Sequence, residues 1–185
     1  KSFTEDNLNV SVQAVPGAGK STLIIELIKV LKNKGAKCLV VAYNTDLASH
    51  MVRLLSENNL DEYAVCYTFH SLCSNFIQLA PDDISFEIAI RHCDNGYIEP
   101  QKINATHVLV DEVQDMKDIY IKLLKHVLES EPLYFICGDL KQMLYDFDPD
   151  SMANTEIITN PNNFFENNVA WSHKTCNVTH RLPNS

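Results

Sequence analysis

In the stretch HVLVDEVQDM, residues 107–116, the aliphatics Val108, Leu109 and Val110 run directly into Asp111, Glu112, Gln114 and Asp115. Carboxylates held at the end of a buried strand can position a divalent cation or take a proton from water. A capping role at the start of the next helix is the plain alternative, and it suits Asp115 best. A second stretch, AVPGAGKST at residues 14–22, supplies matching chemistry. Gly17 and Gly19 permit a tight turn whose N–H groups point at phosphate oxygens, and the following helix adds a favourable dipole. Lys20 can reach the β- and γ-phosphates, and the Ser21 hydroxyl can ligate Mg²⁺. Pro16, Gly17, Ala18, Gly19, Lys20, Ser21 and Thr22 are therefore the candidate residues for a nucleoside triphosphate. A glycine-rich turn with an incidental lysine explains less of the pattern.

With that loop in place, Asp111 is assigned to Mg²⁺ through its water shell. Glu112 is assigned to the water that attacks the γ-phosphorus. A third stretch, CGDLKQMLYDF at residues 137–147, carries a Gly138–Asp139 turn and Gln142, which could reach a γ-phosphate oxygen. Its aromatics Tyr145 and Phe147 would ordinarily be core residues; beside a nucleotide site they become candidates for stacking on a base.

These residues need elements to position them. NVSVQAV reads as a strand, entering the glycine-rich turn and then a helix with Leu23, Ile24, Leu27, Ile28 and Leu31 at helical spacing. AKCLVVAY, EYAVCY, residues 106–110 and PLYFICG read as four more strands. Helices are expected from about Asp46 to Glu57, through Leu72, Phe76 and Leu79, and over Met116, Ile119, Tyr120, Leu123, Leu124, Val127 and Leu128. Apolar strands separated by helices predict an α/β fold with a mostly parallel sheet covered on both faces. Ligands of such sheets sit at the carboxyl ends of the strands, where Asp111 and Glu112 lie.

The 185 residues suit one domain with a substantial core. No apolar run is long enough for a transmembrane helix, and the N-terminus lacks a signal-peptide layout. The chain begins at Lys rather than Met, which reads as a fragment of a longer protein. Six scattered cysteines without a C-x-x-C pair read as reduced thiols of an intracellular protein. His173, Cys176 and His180 have spacings that zinc could use, but they lack a second cysteine pair and make a poor zinc signature. A net charge of −9 argues against a strongly basic nucleic-acid grip and leaves a local groove open.

Taken together, the segments resemble superfamily 1 DNA helicases of the UvrD/Rep type. AVPGAGKST resembles motif I, VVAYNTDLASHM motif Ia, YTFHSL motif Ib, VLVDEVQDM motif II, GDLKQMLYDF motif III and VTHRLPNS the start of motif IV. The resemblance implies a RecA-like P-loop domain spanning residues 1–185, ATP and Mg²⁺ as ligands, and single-stranded DNA as partner. It implies that Gln142 senses the γ-phosphate and that Arg181 contacts it in the transition state, with Lys20 and Glu112 completing the catalytic set. His180 replaces the usual tyrosine near the adenine. Tyr43, Asn44, Thr68, Phe69 and His70 match positions lining the DNA path, and Tyr145 and Phe147 match base-stacking aromatics. The segment between TFHSL and VLVDE is short where typical members insert an accessory domain, so 82–104 is either a reduced insertion or a connector. The compactness resembles sequences from large DNA viruses, which implies the cytoplasm or nucleus of a host cell. A second RecA-like domain, needed to close the site, is expected from the rest of a longer protein. An RNA helicase of the same superfamily, a nucleotide-dependent scaffold and, more weakly, a small-molecule kinase are the alternatives.

Overall fold

Among the described residues six strands make one sheet: β1 (Asn9–Ala14), β2 (Cys38–Ala42), β3 (Ala64–Thr68), β4 (His107–Val110), β5 (Leu133–Gly138) and β6 (Trp171–Cys176). The computed structural model describes residues 8–78, 83–139, 156–165 and 167–177. Strand order is β3-β2-β4-β5-β1-β6, and every pairing is parallel. The fold is thus the expected α/β P-loop class, parallel throughout the described strands rather than mostly so. Parallel strands place all carboxyl ends on one edge, and the candidate residues follow those ends.

The helices are α1 (Lys20–Lys32), α2 (Thr45–Glu57), α3 (Phe69–Leu72, continued by a π-helical turn over Cys73–Ile77), α4 (Asp83–Asp94), α5 (Asp118–Val127) and α6 (Glu156–Thr159). Successive β2 residues point to opposite faces, and all of Cys38, Leu39, Val40 and Val41 are buried. On one face Val10, Val12, Val40 and Phe135 pack with Ile24, Ile28, Met51 and Leu55 of α1 and α2. On the other, Leu39, Val41, Val108, Val110 and Ile136 pack with Leu72, Phe86, Leu123, Val127 and Ile157 from α3 to α6. Each fully buried aliphatic or aromatic contributes about 2 kcal/mol.

Three features go beyond the sequence reading. β6 had no apolar signal: its residues WSHKTC are half-buried or exposed, and among the described strands it is an edge strand beside β1. His173 and Cys176 lie three residues apart on it and so face opposite sides. Within the 82–104 segment, α4 is a helix whose Phe86 and Ala89 are fully buried in the core. Asp115 lies in a 3₁₀ turn over Val113–Asp115, and the N-cap position of α5 is Lys117, whose own side chain does not cap the helix. Met116 is accordingly buried outside α5, and Ile121 joins its buried face.

β1 carries polar residues into the interior and satisfies them. Fully buried Asn9 accepts from the Tyr134 N–H at 2.8 Å and donates to Asn167 Oδ1 at 2.6 Å and Val169 O at 3.1 Å. One side chain thus ties β1 to β5 and to the approach to β6. Ser11 Oγ donates to Ile158 O at 2.8 Å, pinning α6. Asn9→Ala strands the buried Tyr134 N–H and should cost about 2 kcal/mol, measured as a shift in urea midpoint; an unchanged midpoint would contradict the clamp.

His107 opens β4 with Nδ1 2.9 Å from Thr106 Oγ1. Burial first, and the Lys34 charge second, lower its pKa from 6.5 to about 4. The folded chain keeps this ring neutral while the unfolded chain protonates below about 6.5, so the unfolded state binds more protons in that window. His107 therefore makes stability fall as pH drops from 6.5 towards 4. His107→Gln should flatten that slope relative to the wild type in denaturation at stepped pH, and identical slopes would exclude the effect.

Candidate nucleotide site

The turn after β1 takes its shape from two glycines in the left-handed region, Gly17 at φ 73° and Gly19 at φ 80°. A Cβ at Gly19 would make only an ordinary contact with Thr22, 4.0 Å away, but on a strained backbone, so φ and not crowding requires glycine there. The Ala18 N–H donates to Val15 O at 3.1 Å, and the Val15 N–H to Cys176 O at 3.2 Å, which ties the loop to the end of β6. Gly19 is the N-cap of α1, and no side chain caps that helix start. Its N–H groups and dipole are available to an anion.

Lys20 opens α1 and is buried, with its ammonium 3.0 Å from Glu112 Oε1. Burial pulls its pKa down, but the Glu112 carboxylate and, more weakly, Asp111 outweigh that, so the net shift is upward from 10.5. Lys20 is a cation at every physiological pH. Its partner is one a phosphate could replace, since both are oxyanions.

Asp111 is 3% exposed at the end of β4, and its two oxygens have different tasks. Oδ1 accepts from the Glu112 N–H at 3.0 Å and from the fully buried Cys137 thiol at 3.3 Å. Oδ2 is left 3.4 Å from Ser21 Oγ. Burial, then repulsion from Glu112, raises the Asp111 pKa above the usual carboxylate value; Cys137, Lys20 and the Glu112 N–H oppose this. A hydroxyl and a buried carboxylate converging on one point form an all-oxygen donor set, which fits a hard cation such as Mg²⁺ bound largely through water.

Glu112 adopts a left-handed backbone, φ 51° and ψ 47°, at a cost of about 1–2 kcal/mol. The turn it makes swings the carboxylate towards Lys20. Its second oxygen, Oε2, accepts from Gln114 Nε2 at 2.9 Å. Gln114 also donates to Asp115 Oδ2 at 3.3 Å and accepts from the Asp139 N–H at 3.0 Å. At Gly138 an added Cβ would collide with Gln114 Oε1 and crowd Ile158 and Val113, so only glycine lets β5 approach this closely. The sequence reading gave Gln114 and Cys137 no role. Their contacts are tertiary, and no local spacing signals them.

Two contacts join Lys20, Ser21, Asp111 and Glu112 in pairs, Lys20 with Glu112 at 3.0 Å and Ser21 with Asp111 at 3.4 Å. Gln142, Tyr145, Phe147, His180 and Arg181 lie outside the described residues. The five other residues expected on a nucleic-acid path do cluster, at the ends of β2 and β3. Tyr43, Asn44, Thr68, Phe69 and His70 line a cavity of about 310 Å³ with Thr45 and Tyr120. Their chemistry differs from residue to residue. Asn44 caps α2, accepting from the Leu47 N–H at 2.9 Å, and Thr68 forms a capping box with Ser71. Phe69 is 1% exposed and stacks on Tyr120, with ring centroids 4.9 Å apart. It is a core residue with no free face for a base. Tyr43 and His70 are the exposed rings. Among the described lining residues none is Lys or Arg.

A glycine turn opening a helix, a buried lysine and hydroxyl, and two acids at a nearby strand end define a P-loop, ATPase-like nucleotide-binding domain. The family described as AAA domain matches residues 3–148, and the chain belongs to it. No curated protein sequence matches the chain. Among solved structures, the helicase domain of Hef from Pyrococcus furiosus is similar at 11% identity and a TM-score of 0.49, over 96% of this chain and 39% of that one. The chain spans well under half of that structure. No described helix is long and apolar enough to cross a membrane, and none of the six cysteines is paired in a disulfide.

Asp111→Asn keeps an acceptor for Cys137 and the Glu112 N–H while removing a buried charge. Its melting temperature without ligand should equal or exceed that of the wild type, as at other sites where function costs stability. Stabilisation by nucleotide should lose its Mg²⁺ dependence. Mg²⁺-dependent stabilisation equal to wild type would contradict the assignment of Asp111.

Proposed function

We propose that this chain is the first RecA-like domain of an ATP-driven DNA helicase of the UvrD/Rep type, hydrolysing Mg-ATP and binding single-stranded DNA at the ends of β2 and β3. The observation that carries the reading is the convergence of Lys20, Ser21, Asp111 and Glu112 on one point beside an uncapped α1. The ordered motif resemblance extends it from a general ATPase to a helicase.

In this reading the loop N–H groups and Lys20 bind the β- and γ-phosphates, and Lys20 leaves Glu112 to do so. Ser21 and Asp111 would hold Mg²⁺, which when bound neutralises charge developing on the phosphate oxygens. Glu112, relieved of its ion pair, takes a proton from the attacking water. The new bond joins that water oxygen to the γ-phosphorus, and the bond to the β–γ bridging oxygen breaks with its electrons leaving on ADP. Gln142 and Arg181 would complete the site, together with an arginine from a second RecA-like domain. Such an arginine is worth orders of magnitude in rate, so the chain by itself should turn over slowly.

One observation favours a second reading. The cavity expected to take DNA lacks Lys and Arg among its described lining residues, and the chain's net charge is −9. A nucleotide-dependent scaffold that binds a partner other than nucleic acid would need no cations there. RNA is the third possibility.

ATP turnover with and without single-stranded DNA or RNA separates these readings, measured on this chain and on a longer one carrying a second RecA-like domain. The helicase reading expects DNA stimulation in the longer chain, and a loss of about 100-fold or more in Glu112→Gln. Stimulation by RNA alone would move the substrate. Nucleotide binding without turnover in the longer chain would leave the scaffold.

A further inference from the structure

Gln114 is 1% exposed, and both ends of its side-chain amide are hydrogen-bonded. Its Oε1 accepts from the Asp139 N–H at 3.0 Å, and that contact fixes which end of the amide is which, because a backbone N–H can only donate. Nε2 must then face the acids, and it donates to Glu112 Oε2 at 2.9 Å and Asp115 Oδ2 at 3.3 Å. Rotating the amide would set its NH₂ against the Asp139 N–H and its carbonyl against two carboxylates. The absence of a side chain at Gly138 lets the end of β5 sit against this amide.

The geometry points to Gln114 as the positioning residue for Glu112, holding its carboxylate in the site after a nucleotide has drawn Lys20 away. This rests on the nucleotide reading above. In the present arrangement Glu112 has two holders, Lys20 on Oε1 and Gln114 on Oε2. A phosphate competes for the first and not for the second. Without the amide, a carboxylate on a left-handed backbone turn would be free to swing once its ammonium left. With it, Oε1 stays aimed at the point Lys20 vacated, where the attacking water must lie. Because the same amide is bonded to the main chain of Asp139, Glu112 is held in register with the end of β5, the strand between β4 and β1.

The first test uses the wild-type chain alone. In ¹⁵N-labelled protein the Gln114 side-chain NH₂ should exchange with solvent at least about 100-fold more slowly than that of exposed Gln101, both without ligand and with a saturating non-hydrolysable ATP analogue and Mg²⁺. Gln114→Met assigns the resonance by its loss. Exchange that rises to the Gln101 rate when the analogue binds would overturn the proposal while leaving nucleotide binding intact. Failure of the analogue to bind at all would remove the nucleotide reading on which it rests.

The second test is a kinetic cycle. Gln114→Met should lower kcat between about tenfold and a hundredfold, as expected for a misplaced reacting group, and leave the nucleotide Kd within about threefold. In a Glu112→Gln background the same substitution should cost nothing further, since the group it positions is gone. A merely structural role would weaken nucleotide binding and lower turnover in both backgrounds, and that result would also overturn the proposal.

Discussion

The ion pair between Lys20 and Glu112 is the interaction on which the rest of this site depends. A buried ammonium is costly unless an oxyanion meets it, and Glu112 supplies one at 3.0 Å. That requirement explains why Glu112 accepts a left-handed backbone, why a second donor steadies its other oxygen, and why β4 and the β1 loop must open on the same edge of the sheet. Parallel order with one strand, β5, between β4 and β1 meets the last condition. A triphosphate would take over the role of Glu112 towards Lys20 without unfolding anything, because one oxyanion replaces another.

β5 contributes more than spacing. Its end and the residue that follows hold the two acids separately, Cys137 on Asp111 Oδ1 and the Asp139 N–H through Gln114 on Glu112. The carboxylate assigned to the cation and the one assigned to water are thus fixed by different contacts. The two remain coupled by charge and by the Glu112 N–H on Asp111 Oδ1.

Legibility from sequence followed the range of the interactions. The phosphate loop could be read because its chemistry is contiguous: two glycines, a lysine and a serine at fixed offsets, between an apolar strand and an amphipathic helix. The central strands β2, β4 and β5 could be read because burial on both faces leaves uninterrupted apolar residues, as in CLVVA of β2. β6 could not, since an edge strand of polar residues carries no such signal. The TFHSL segment shows a subtler limit. The segment does lie beside Tyr43 and Asn44, but Phe69 turns its ring inward onto Tyr120 and Thr68 spends its hydroxyl on a cap. A motif can place a backbone at a site without saying which side chains face it. Gln114 was visible in the sequence as an amide among acids, yet its bond to Asp139, 25 residues away, belongs to the fold alone.

The central claim is that the Lys20–Glu112 pair marks a triphosphate site. Titration of a fluorescent ATP analogue into the ligand-free chain, with and without Mg²⁺, tests it most directly. One saturable site per chain, tightened by Mg²⁺ and competed by ATP, is the predicted result. The absence of saturable binding under both conditions would contradict the account at its base.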